Sequence, residues 1–542
     1  MKDDRKGIPL EIMLTVPVQK IIIVFYYCSL IIGGPWSVLD VHPENNCFIV
    51  AKSTGVLATF NYLTNERIGL TQLKIPEEIT TLKFSNDGNL ISIGTKKGNI
   101  WLLNFQTFDP ITVKPFSHCK GSIKQLLFSS TDEYLGSSDL DRCVTVYQNV
   151  DGEYKLLGRH RCHTKQISEI KFGLNSENGN CILYTIGKDM KLNEFDLKES
   201  SFEEGLKLKA RASIEQSYLP TCISILPESS GDEQFLVIAN NAHKIRFINM
   251  TTKLCRRVLL SPQLEDHINK IVHISTHING RTPDSIQNFV LQCGKFLGLA
   301  NIPLLGYSTC YKTKLVSSEP LDEFVVSHDG KYCFSLNKSE EHVTQHSINA
   351  NVMEENISEG QDNFKFLVSR NLKLYNDMKD YFSLVQILDG SKCLLKTIPT
   401  ESIVLVCRAL GFYPTEKEQD DMINEIKYSS FVSTGTINTD VHVDTLFKVF
   451  INHRPYQGKD LLLLEDAFNT MKKNQGLGTK THISRHKFFQ FLKKEGETFK
   501  QRDFTKYLSP LFVGQSENDE ETFNVPDEID VNSITNLLND KI

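Results

Sequence analysis

A chain of 542 residues with 60 Lys and Arg against 66 Asp and Glu carries a net charge of −6, without the concentrated basic field that nucleic-acid binding needs. It is too long for a single hydrophobic core, so two or three domains are expected. Its 13 cysteines form no CxxC pair and no spaced framework, which fits a reducing compartment better than a disulfide-stapled secreted chain.

In chain order, residues 1–34 come first and hold an apolar run from Ile21 to Ile32. A bilayer-crossing helix needs about 20 residues, and no small-residue cleavage site follows the run, although Lys2, Arg5 and Lys6 precede it. The expected reading is a buried strand rich in β-branched and aromatic residues. A signal or membrane anchor, and an imperfect start to the chain, are the alternatives.

From Trp36 to Ile348 one unit recurs. In its clearest copy, residues 79–104, Leu82 and Phe84 alternate with polar partners, Asp87-Gly88 turns the chain, and Ile91 and Ile93 resume the run. Lys97-Gly98 turns it again before Ile100. Copies start near Trp36, Ile123, Ile167, Thr221, Ile271 and Leu321, at intervals of 43 or 44 residues early on and about 50 later. Four short strands at this period predict an all-β WD40-type propeller of about seven blades over residues 35–349. No unit can bury both faces of its sheet alone, so the units must stack in a ring. The apolar run within residues 1–34 is suited to complete the last blade. His42, His118 and His163 fall near unit starts, and Asp139, Asp141 and Asp189 near later turns. The usual terminal Trp-Asp is replaced by pairs such as Val146-Tyr147 and Glu194-Phe195.

Residues 350–365 are polar and turn-rich, as a linker is. The next stretch, 366–512, is helical in period: Leu374, Met378, Phe382, Leu384 and Ile387 share a face. Leu405, Ala409, Leu410 and Gly411 end one helix. Pro414-Thr415 starts the next, with Glu418 at capping-box distance from Thr415.

This all-α domain has the look of a degenerate EF-hand. A calcium loop presents oxygen ligands at positions 1, 3, 5 and 12. Starting at Lys427 puts Ser429, Phe431 and Asn438 at the later three. With Ile483 as the central β residue, a second loop has Gly476, Gly478, Lys480 and Lys487 there. Neither set supplies the charge a hard dication wants, so no metal and no cofactor is expected. Residues 513–542 read as an acidic C-terminal tail.

No phosphate-binding loop, nucleophile elbow or metalloprotease motif occurs, and the chain reads as non-catalytic. His160, Cys162 and His163 are the most metal-like group, but alternate residues of a strand face opposite ways and no second ligand pair accompanies them.

The segments LYNDMKDYFSLVQI, RALGFYPTEKEQDDMINEIKY, FKVFINHRPYQG, LEDAF and KFFQFLKKEGETF, in this order between Leu374 and Phe499, resemble the C-terminal region of the cilia- and flagella-associated protein 251 family. These are WD-repeat proteins of the calmodulin- and spoke-associated complex. The resemblance implies a structural scaffold of the ciliary axoneme near the radial-spoke base, with no nucleic-acid or membrane partner. Its implied partners are radial-spoke components, other subunits of that complex, calmodulin and doublet microtubules.

Ala409, Gly411, Phe412, Tyr413 and Pro414 at the first helix–helix turn, and Asn452, His453, Arg454 and Pro455 after the second, carry over as module-defining or partner-facing positions. An amphipathic helix such as 484–495, with Lys487, Lys493 and Lys494, is a candidate calmodulin segment. A general cytoplasmic WD-repeat adaptor and a calcium-responsive regulator are the competing readings. Family members usually carry more sequence upstream, so the chain reads either as a reduced member or as one with a faulty start.

Overall fold

The computed structural model describes residues 25–33, 35–174, 179–226, 234–262, 264–274, 287–302, 311–349, 363–388, 397–431, 435–455, 461–474, 482–494 and 528–531. The chain divides into two compact units: Met1–Asn376 together with Asn424–Thr439, and Asp377–Ile423 together with Asp440–Ile542.

The first unit contains seven antiparallel sheets, the blades of a propeller. In sequence they are Trp36–Gln72, Ile79–Asn104, Ile123–Arg161, Ile167–Ser213, Pro220–Leu260, Ile268–Leu315 and Glu323–Ile348. The innermost strands of neighbouring blades touch in turn, the last returning to the first. Blade 7 takes its fourth strand from the other end of the chain. Phe25–Gly33 pairs with His342–Ile348, Phe25 opposite Ile348 and Ile32 opposite Val343, with an irregularity between Tyr27 and Ile31. Blade 2 is three-stranded, its outermost place marked only by the bridges Ile100–Phe116 and Leu103–Pro110.

Apolar side chains gather between blades. Phe48 and Trp36 of blade 1 pack with Phe334 and Val343 of blade 7. Val146 and Leu157 of blade 3 pack with Ile170 and Phe195 of blade 4. A recurring polar stitch reinforces these contacts. The second residue of an innermost strand donates to the carbonyl of the first residue in the next blade. Thr80 bonds to Ile123 at 2.8 Å, Lys124 to Ile167 at 2.5 Å, Ser168 to Pro220 at 2.7 Å and Thr221 to Ile268 at 2.6 Å.

The innermost strands of blades 5 to 7 begin at Pro220, Ile268 and Glu323, one to three residues from the starts expected at Thr221, Ile271 and Leu321. Alternation is weakest there, so the sequence period locates a blade more reliably than its first residue.

Among the described residues seven α-helices follow: α1 (Asn363–Arg370), α2 (Leu372–Leu388), α3 (Ile403–Ala409), α4 (Glu416–Lys427), α5 (Val443–His453), α6 (Leu461–Asn474) and α7 (Arg485–Lys494). Two short ladders tie the connections between them. Thr397–Pro399 pairs with Asp440–His442, and Ile483–Ser484 pairs with Glu528–Ile529. The second ladder draws on the stretch expected to be an acidic tail. Ile529 is buried against Phe468, Met471 and Ile483, so apolar burial outweighs the surrounding charge at that point.

Burial lowers the pKa of several propeller histidines, His42, His163 and His243 among them, and that of His346 to about 4. An imidazole held below its unfolded value of about 6.5 takes up protons first in the unfolded chain. Its contribution is therefore present above that pH and is lost as pH falls through it. The melting midpoint should drop on going from about pH 7.5 to about pH 5, with His346 alone contributing on the order of 3 kcal/mol by pH 4. A flat midpoint across that range would contradict these burials.

Candidate interaction site

The helical region begins its distinctive stretch with a tight corner. At the end of α3 the amide of Gly411 bonds to Arg408 O at 3.0 Å and that of Phe412 to Cys407 O at 3.0 Å. This is the paired capping that glycine makes possible, and Gly411 has φ of 81°. Phe412 is thereby turned inward, 6% exposed, and meets Phe450 of α5 edge-on at 5.9 Å. Thr415 then starts α4. Its amide donates to Glu418 Oε2 at 3.1 Å and its hydroxyl accepts the Glu418 amide at 3.3 Å, forming the reciprocal capping box. Tyr413 projects outward, 66% exposed. Ala409 is exposed and Pro414 is buried.

The second group is mostly interior. Asn452 and His453 are 0% exposed, so they pack the module and offer no surface to a partner. Arg454 lies with its guanidinium 5.9 Å from the Phe450 ring centre, and burial lowers its pKa. Only Pro455 of this group is exposed. Of the nine positions, Ala409, Tyr413 and Pro455 face solvent. Gly411, Phe412, Pro414, Asn452 and His453 instead shape the corner or fill the interior.

The residues expected in the first calcium loop do something other than gather oxygens. Lys427 ends α4, and its carbonyl accepts the Asn438 amide at 2.9 Å. The Asn438 side chain donates to Ile426 O at 3.2 Å and to Ser429 Oγ at 2.9 Å, and accepts from Ser430 Oγ at 3.1 Å. One asparagine thus laces the two ends of the loop together. Phe431 lies edge-on to Tyr428 at 5.8 Å.

The same segment, 424–439, belongs to the propeller's unit. Glu425 accepts the backbone N–H of Val258 at 3.1 Å, and the Arg256 guanidinium sits 4.2 Å from the centre of the Tyr428 ring. Val258 and Arg256 lie on Cys255–Leu260, the outermost strand of blade 5. Glu425 and Tyr428 were invisible to sequence reasoning because their partners lie far back in the chain.

Of the second loop, Gly476, Gly478 and Lys480 fall outside the described residues, and Lys487 is exposed on α7. The apolar side of α7, expected as a calmodulin segment, is in use. Phe488 and Phe491 pack against the cluster of Phe468, Met471, Ile483 and Ile529.

The remaining chemically suggestive groups resolve into fold devices. His163 Nδ1 lies 2.8 Å from Asp189 Oδ1, and its Nε2 lies 2.9 Å from Thr185 Oγ1. Burial lowers the His163 pKa against the pull of Asp189. Burial of Asp189 is outweighed by the Thr164 amide and His163, which hold its carboxyl below the usual range. His160 meets Phe195 at 5.4 Å, and the Cys162 thiol, pushed up to about 12 by burial, is a poor nucleophile. His118 reaches the Tyr147 hydroxyl at 3.2 Å. His42 accepts the amides of Glu44 and Asn45 in the turn after the first strand of blade 1. Among the described residues no group of three or more His, Cys, Asp or Glu is placed to hold a metal ion.

Gly411→Ala and Thr415→Ala should each cost about 1 kcal/mol. Amide exchange in α3 and α4 should then run about five-fold faster. Tyr413→Ala should leave it unchanged. Equal effects of all three variants would contradict the corner's assignment.

Comparison with known proteins gives one consistent answer. Residues 373–538 match the CFAP251 C-terminal domain model. Cilia- and flagella-associated protein 251 of Mus musculus is 27% identical over 88% of this chain, and that of Pongo abelii 26% identical over 88%. The Tetrahymena thermophila protein of the same name is 25% identical over 93%. The chain spans 37%, 42% and 56% of these three relatives' own lengths. This chain therefore matches the C-terminal domain family of cilia- and flagella-associated protein 251 and is similar to those proteins across its propeller as well.

Proposed function

We propose that this chain is a structural, non-catalytic component of the ciliary or flagellar axoneme that supports motility by holding other proteins in place. The observation that carries this reading is similarity extending over 88% of the chain to proteins named for cilia and flagella, through both the blades and the helical region. The finer placement, at the radial-spoke base within the calmodulin- and spoke-associated complex, extends the same reading. Its partners there would be radial-spoke proteins, the complex's other subunits, calmodulin and doublet microtubules.

The helical region reads as two degenerate EF-hand pairs. In paired EF-hands the central β residues of two loops meet in a short antiparallel ladder, as Ile398 meets Val441 and Ile483 meets Ile529. Counting these as position 8 moves the start of the loop after α4 from Lys427 to Thr434. Position 12 in the four loops becomes Ser402, Thr445, Lys487 and Ser533. A calcium loop needs a bidentate Glu there, and none of the four supplies one. The helix pairs therefore serve as packing units, and the calcium-responsive reading loses its chemical basis.

Location separates the axonemal reading from a general cytoplasmic adaptor. The tagged protein, expressed in ciliated cells, should stay with the axoneme after detergent extraction. Complete release into the soluble fraction would rule against the scaffold.

A further inference from the structure

Blade 2 lacks a continuous fourth strand, and the outer part of blade 3 carries a cavity of about 450 Å³ lined by Lys120, Asp141, Cys143, Arg159 and Arg161. Arg159 and Arg161 are alternate residues of the strand Glu153–Arg161, opposite Thr145 and Cys143, and so share one face of the sheet. His160 between them faces the other way, onto Phe195 of blade 4. Lys120 comes from the segment that leads from blade 2 into blade 3. Gly121 beside it makes the close approach possible, since a Cβ there would lie 2.9 Å from the Asp141 backbone nitrogen and 3.0 Å from its carboxyl carbon.

We propose that this cavity is a binding site for an acidic peptide, whose carboxylates are taken by Arg159, Arg161 and Lys120. Three cations face one lining carboxylate, in a chain whose net charge is −6. The cations are poorly matched from within. Arg159 Nη2 is 3.5 Å from Asp139 Oδ2, longer than the roughly 2.7–2.9 Å of a charge-assisted bond. The other oxygen of Asp139 is occupied by the Cys143 amide at 2.9 Å. Arg159 Nε is buried without a partner, a donor that an incoming acceptor would satisfy. Among the described residues, Lys120 and Arg161 form no ion pair. A guanidinium fork favours planar carboxylates. Asp141 on the wall disfavours a single compact polyanion and suits a chain with carboxylates spaced along it. The site is independent of the axonemal reading.

The test uses the full chain and a fluorescein-labelled peptide of alternating glutamate and glycine, followed by fluorescence anisotropy. Saturable, salt-sensitive binding is expected, weakened about ten-fold by R161E and by K120E. R159K keeps the charge but loses the fork and should weaken binding several-fold. K155E, an exposed lysine on the same strand outside the cavity lining, should leave it unchanged. Unaltered melting midpoints establish that the variants are folded. The proposal is overturned if R161E and K120E bind like the unsubstituted chain. It is also overturned if a glutamine-for-glutamate peptide binds equally, or if pyrophosphate displaces the peptide as well as an unlabelled acidic peptide does.

Discussion

No blade of this propeller owns its core. Each sheet has two apolar faces, and each face is buried only by the neighbouring blade. Phe48 of blade 1 lies against Phe334 of blade 7, while Ile49 on the same strand belongs to the cluster shared with blade 2. The constraint is circular, so the ring must close or two faces stay wet. Burial of apolar area stabilises at roughly 25 cal/mol per Å², and an open ring forfeits that term at a whole interface. Closure falls to the first described strand, Phe25–Gly33, on the end of blade 7. The side-chain stitches from Thr80 to Thr221 fix the rotation between successive innermost strands, which a purely apolar interface would leave looser.

A ring fixed in this way offers rigid edges, and the chain uses one of them itself. The free N–H of Val258 on the outer strand of blade 5 is capped by Glu425, and Tyr428 covers Arg256. An exposed sheet edge is a hazard for unwanted pairing, and this contact satisfies part of it. In the adjoining loop Asn438 bonds to Ile426 O and Ser429 Oγ and accepts from Ser430 Oγ, tying the chain after it to the end of α4. The corner from Gly411 to Glu418 and the ladder between Ile398 and Val441 hold the neighbouring helices by backbone geometry. All of these contacts are made within the chain itself.

What could be read from the sequence follows the range of each interaction. The blade period and the Thr415–Glu418 capping box are local, and both were legible. Phe412 was marked as distinctive, but only its geometry shows that it anchors the corner from inside. The pairing of Val441 with Ile398, on which the proposed loop register rests, joins segments distant in sequence and leaves no local mark. Ile529 reads as part of an acidic tail until its apolar partners are known. Glu425, Arg159 and Lys120 carry no local signal at all, since strands distant in sequence create their surroundings.

A helical region held together without an ion can be tested on the ladder between Ile398 and Val441. Amide exchange at Ile398 and Val441 should be followed in the full chain, once with calcium at about 1 mM, far above the Kd of sensor loops, and once with a chelator. Equal protection in both is the predicted result. Protection that appears only with calcium would contradict it and return the helical region to the class of ion-driven switches.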